Sequence, residues 1–118
     1  MAHETQELPR ADWRVYFDGL SRDLPTVEAT VEIEGLDLGA QVEAESLVLT
    51  GISYDDRDDV LVVGLGGVRE RLEHLVQQPK RILVDSTLGV LPTTIEVHDG
   101  EGHRTLIRLR QVQAIASE

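Results

Sequence analysis

At 118 residues the chain has the length of one domain, and 41% hydrophobic residues supply a core and argue against disorder; with only 3% aromatic, Leu, Val and Ile must fill it around Trp13, Tyr16, Phe17 and Tyr54. A formal net charge of -11, from 22 acidic and 11 basic residues, repels phosphate backbones and argues against nucleic-acid partners. The lack of Cys removes disulfides, thiolate nucleophiles and Cys-ligated zinc, and no apolar run approaches the roughly 18 residues that argue for a membrane span.

Met1 to Glu7 is polar and acidic, the wrong composition for a secretory signal, so a cytoplasmic protein with no membrane partner is expected. Residues 1–9 lack periodicity and are expected to form a mobile tail, 10–112 a single domain, and 113–118 a C-terminal tail. Trp13, Phe17, Leu20 and Leu24 stand at i, i+4, i+7 and i+11, which predicts a helix with one apolar face that ends at Pro25. Gly19 inside that pattern costs about 1 kcal/mol relative to Ala.

From Thr26 to Glu34 the alternation is strict, with Val27, Ala29, Val31 and Ile33 on one side and Glu28, Thr30, Glu32 and Glu34 on the other. Gly35 to Gly39 supplies a turn, after which Val42 and Ala44 are expected to face in, and Glu43 and Glu45 out. The run Leu47, Val48, Leu49 breaks the alternation and predicts a bend between Gln41 and Tyr54. A central hairpin then spans Gly51 to Leu65. Pairing Tyr54 with Val60 and Ile52 with Val62 leaves Asp56, Arg57 and Asp58 as its loop, with Asp58 left-handed.

Val68, Leu72, Leu75 and Val76 recur at helical spacing before Pro79 and predict a second helix. A strand at Lys80 to Asp85, a loop around Gly89, and a hairpin from Thr93 to His98 and Arg104 to Arg110 complete the chain. With Gly102 left-handed in a three-residue loop, Val97 faces Thr105 and Ile95 faces Ile107, and Arg104, Arg108 and Arg110 share a face that can lie against the acidic strands. The expected fold is α+β: one antiparallel sheet of five or six strands, open or barrel-like, with two helices, in the order helix, three strands, helix, three strands.

Trp13, Arg14, Phe17, Asp18, Leu20 and Ser21, the stretch Gly35, Leu36, Asp37, Leu38, Gly39 with Gln41 to Ala44, and Gly51, Ile52, Tyr54, Asp55, Asp58, Asp59 and Val60 form a recurring combination, with His74, Leu75 and Pro79. Over roughly Trp13 to Arg110 the chain resembles a small bacterial family classed only as a domain of unknown function. That family has no assigned reaction or ligand, so the resemblance carries no site residue over.

Asp55, Asp56, Asp58 and Asp59 invite a divalent cation, but no Gly or terminal Glu stands at the offsets of a calcium loop and Arg57 sits among them. They read as a solvated turn. His98 and His103 fall on opposite sheet faces in the preferred register, and no Ser has a nucleophile-elbow context, so no metal, cofactor or catalytic residue is assigned and the reading leans away from an enzyme. The favoured function is an interaction or regulatory module whose acidic hairpin (Glu28, Glu32, Glu34, Glu43, Glu45) meets a basic protein or a second copy. The alternative is a small-molecule or anion-binding protein, or an enzyme, that uses the Gly64 to Gly67 strand-to-helix connection, with Gly66, Gly67, Arg69, Lys80 and Arg81 at the site.

Overall fold

A computed structural model describes residues 4–66, 71–86 and 91–112. Strand β1 (Glu4–Leu8) leads through a 3-10 turn (Arg10–Asp12) into helix α1 (Trp13–Arg22). Seven strands follow: β2 (Val27–Gly35), β3 (Gly39–Asp55), β4 (Val60–Gly66), β5 (Arg71–Gln77), β6 (Pro79–Ser86), β7 (Thr94–Asp99) and β8 (Arg104–Gln111). They form one antiparallel sheet of eight strands in the order β1-β6-β7-β8-β2-β3-β4-β5. The sheet is open, because β1 and β5 stand at its two ends and do not pair.

The core is the inner face of this sheet. Val27, Ala29 and Val31 of β2 pack with Ile107 of β8, Ile95 and Val97 of β7, Ile82 of β6, and Leu61 and Val63 of β4, all fully buried or nearly so. Helix α1 closes the core from one side with Trp13 and Phe17, both buried, as its apolar stripe predicts. Trp13 meets the Tyr54 ring edge-on at 5.1 Å and donates its indole N–H to the Leu8 carbonyl at 3.0 Å, while the Arg10 guanidinium lies 4.4 Å over its ring. Farther along α1, the Ser21 hydroxyl donates to the Ile52 carbonyl at 2.7 Å and accepts the Ile52 N–H at 2.9 Å. β2 pairs with β3 only as far as Val48, so Ser21 takes the place of a neighbouring strand along the edge that β2 has left.

The expected second helix is strand β5. All seven of its residues pair with β4, Val60 to Gly66, and only a single α-helix is present among the described residues. Leu72, Leu75 and Val76 have a spacing that a helix produces, but here Val76 is buried beside half-buried His74 while Leu72 and Leu75 are exposed at the sheet's end, where one strand edge has no described neighbour. Val68, the first residue of the expected helix, lies outside the described residues. The five or six strands expected become eight, since β5 is one addition and β1 another. The tail expected over residues 1–9 contains β1, which pairs with β6 from Glu4 with Ser86 to Leu8 with Ile82. An edge strand can lack the hydrophobic alternation of an interior one, and of Thr5 to Leu8 only Leu8 is buried.

The central hairpin is shifted by one residue from its expected register: Tyr54 pairs with Leu61 and Ile52 with Val63, which brings four buried side chains together. Its loop is Asp56, Arg57, Asp58 and Asp59, and the left-handed residue is Asp59, with φ 54°, not Asp58. Gln78, also left-handed at φ 52°, turns the chain from β5 into β6. Its N–H reaches the Asp59 carbonyl at 2.8 Å and its carbonyl accepts the Gly100 N–H at 3.2 Å, so it ties both hairpin loops together. The last hairpin keeps its expected register, with Val97 opposite Thr105, Ile95 opposite Ile107 and Gly102 at φ 83°.

Candidate functional site

The acidic hairpin is β2 and β3, and its outer face is largely compensated from within the chain. Pairing of β2 with β8 sets Glu28 opposite Arg110 and Glu34 opposite Arg104. The Arg110 guanidinium donates to Glu28 at 2.7 Å, Arg108 to Glu32 at 3.2 Å, and Arg104 bonds Glu34 and lies 3.6 Å from Glu96. Bonding to Glu34 raises the Arg104 pKa further. Exposed pairs of this kind contribute about 0 to 1 kcal/mol each, so the ladder sets the charge of the face more than its stability.

Two β-bulges divide β3. One leaves Glu43 as the extra residue between the Val31–Ala44 and Glu32–Val42 pairs, and the other places Glu45 and Ser46 across from Thr30. Ser46 is left-handed, φ 52°, and its N–H bonds the Thr30 hydroxyl at 3.1 Å. The first bulge breaks the expected alternation, so Ala44 is buried but Val42 is exposed. Glu43 and Glu45 are exposed and, among the described residues, take part in no ion pair. Val42 and Val48 on the same strand, and Leu36 and Leu38 at the hairpin tip, are exposed too. From Gly39 to Val48 the strand pairs with β2 along one edge, and no described strand pairs with the other until pairing with β4 starts at Leu49.

The hairpin tip is fastened. The His103 ring nitrogen Nε2 lies 3.0 Å from Asp37 Oδ1, and that bond pushes the His103 pKa up and the Asp37 pKa down. Gly35 lies beneath, where an added Cβ would fall 2.5 Å from the imidazole, so no larger residue fits without moving the latch. His98 lies elsewhere, with its Nε2 2.6 Å from Glu96, and the two histidines do not converge.

At the central turn Asp55 Oδ1 accepts the N–H groups of Arg57 and Asp58, while Asp59 accepts the Tyr54 hydroxyl at 2.6 Å and Arg10 at 3.3 Å. The Tyr54 bond lowers the Asp59 pKa most. Among the described residues no cluster of three or more His, Cys, Asp or Glu is disposed to hold a metal. His74 sits on β5 with Nε2 buried and, among the described residues, without a hydrogen-bond partner; its pKa is pushed down by burial against a smaller opposing effect of Glu43.

Of the anion candidates, Gly66, Lys80 and Arg81 stand on strands. Gly66 ends β4, Lys80 and Arg81 are exposed on β6, Arg81 bonds Glu7 at 3.0 Å, and Gly67 and Arg69 lie outside the described residues. Residue spacing did not disclose a cleft of about 740 Å³ between α1 and the ends of β2 and β8, although Gly19 was a signal of it.

These elements define an α+β protein built on one open eight-stranded antiparallel sheet, with a bulged hairpin that combines carboxylates met by arginines with carboxylates that, among the described residues, take part in no ion pair. The chain belongs to a small bacterial family of unknown function, DUF5335, which it matches over residues 4–118. It is 42% identical over 106 residues to an uncharacterized protein of Aquifex aeolicus (strain VF5), covering 90% of this chain and 92% of that one. No solved structure matches it.

Proposed function

We propose that the protein is a non-enzymatic interaction module that docks an extended, basic and apolar segment of a protein partner along β3 from Gly39 to Val48. The observation that carries this reading is the strand edge without a described neighbour, beside exposed Val42 and Val48 and the unpaired carboxylates Glu43 and Glu45. Backbone groups on such an edge supply affinity by strand addition, and flanking side chains supply selectivity. Glu28, Glu32 and Glu34 play a smaller part than Glu43 and Glu45, because arginines of β8 already meet them.

A second copy is the poorer partner, since it would bring Glu43 and Glu45 against their own kind, and the net charge of -11 disfavours nucleic acid. No described helix is long and apolar enough to cross a membrane, and the lack of Cys suits the reducing cytoplasm we take as the setting.

Selection of displayed random peptides on the purified protein tests the proposal. The expected binders alternate Lys or Arg with apolar residues, weaken as salt rises, and lose at least tenfold affinity against the Glu43→Lys, Glu45→Lys double variant at unchanged Tm. Acidic binders, binders indifferent to the double variant, or no binders at all would overturn it.

A further inference from the structure

The cleft beside α1 has walls of Tyr16 and Leu20 from the helix, Val27 from β2, Leu109 from β8, and Leu91 with Pro92 from the segment before β7. Its volume of about 740 Å³ lies within the range of roughly 300 to 1,000 Å³ usual for small-molecule sites. Gly19 forms part of the same wall, in the middle of α1. Glycine is the poorest helix former after proline, and here neither backbone geometry nor packing calls for it. Its φ is not positive, and a Cβ added there meets, beyond its chain neighbours and the backbone of its own helix, no atom of a described residue within 4 Å. The space it leaves belongs to the cleft.

The polar groups at the cleft are few. The Tyr16 hydroxyl makes no hydrogen bond with any described residue, although the side chain is half-buried, and burial holds its pKa above the ordinary tyrosine value. It is a neutral group that can donate and accept. Among the described residues of the lining Asp23 is the one that carries a charge, and its carboxylate disfavours an anion.

We propose that this cleft is a binding site for a small, mainly apolar molecule that carries a hydroxyl or amino group, with the apolar part against Gly19, Leu20, Leu91 and Leu109 and the polar group at Tyr16 and Asp23. The site is separate from the β3 edge, and it accounts for a helical glycine that the fold itself does not need.

The test uses the full chain and the fluorescent amine 1-aminoanthracene as probe. Saturable one-to-one binding is expected, with displacement by dodecanol and dodecylamine at concentrations at least tenfold below those needed for dodecanoate. Gly19→Phe fills the cleft and should weaken the probe at least tenfold, with the near-ultraviolet circular dichroism of Trp13 unchanged as evidence of folding. Gly19→Ala should raise the Tm by a few degrees without the probe. Leu91→Glu on the opposite wall provides a second block should Gly19→Phe fail to fold. The proposal is overturned if the unaltered protein does not bind the probe, if the folded block variants bind it as tightly, or if dodecanoate displaces it as well as the alcohol and the amine.

Discussion

Replacing Ser21 by Ala tests whether α1 serves as the missing neighbour of β3. Two hydrogen bonds join the Ser21 hydroxyl to the backbone of Ile52, at 2.7 and 2.9 Å, in a partly buried position. At roughly 1 kcal/mol net each, their loss costs about 2 kcal/mol, with more to follow if the Ile52 N–H and carbonyl stay under the helix without water. An unfolding entropy of about 2.1 cal/mol/K per residue over 118 residues gives about 0.25 kcal/mol/K, so the Tm should fall by about 8 °C. Ser53→Ala, one residue along on the exposed face, is the control and should change stability by less than about 0.5 kcal/mol. Differential scanning calorimetry reads the Tm, and hydrogen exchange at the Ile52 amide reads the local effect, which should accelerate in Ser21→Ala. Equal behaviour of the two variants would refute the argument that Ser21 completes the edge.

Trp13→Ala should cost about 3 to 5 kcal/mol by chemical denaturation, since its side chain is fully enclosed between Tyr54 and the core; an unmoved midpoint would show that α1 does not cover the core. The His103–Asp37 latch predicts a pH window. Because the folded pKa of His103 is raised, its contribution is complete below the ordinary histidine value and is lost as pH rises through the folded value; because that of Asp37 is lowered, its contribution is present above the ordinary aspartate value and is lost as pH falls through the folded one. Proton NMR titration should find the His103 pKa above the ordinary value in the unaltered protein and nearer to it in Asp37→Asn. At Asp59, which is left-handed and bonded to Tyr54, Asn should be tolerated best, Gly less because the acceptor is lost, and Val least because strain of roughly 1 to 3 kcal/mol is added; denaturation midpoints in any other order would refute this.

Local pattern carried much of the fold. The alternation of β2 and the three-residue loop at Gly102 were legible because each depends on neighbours in sequence, and the Arg104, Arg108 and Arg110 face followed from the period of a strand. Strand β5 was not legible, because Leu72 and Leu75 lie exposed at an end of the sheet and their spacing no longer records which face is buried. Strand β1 was hidden for a related reason: it is held by backbone pairing with β6, which leaves little hydrophobic trace. The candidate site was legible only in composition. The carboxylates could be found in the sequence, but the bulges at Glu43 and Ser46, which turn Val42 outward, come from how β3 meets β2. Which glutamates are paired and which are free depends on β8, about seventy or more residues away in the chain.

The docking role of β3 is tested most directly by amide hydrogen exchange of the full chain, measured by NMR with and without a peptide recovered by selection. Of the strand edges that could receive a peptide, those of β1 and β5 end the sheet, while that of β3 between Gly39 and Val48 lies beside the free carboxylates. The account predicts that the peptide slows exchange at alternate amides from Gly39 to Val48 and leaves those of β1 and β5 unchanged. Protection along β1 or β5, or a bound peptide that protects no amide between Gly39 and Val48, would contradict it.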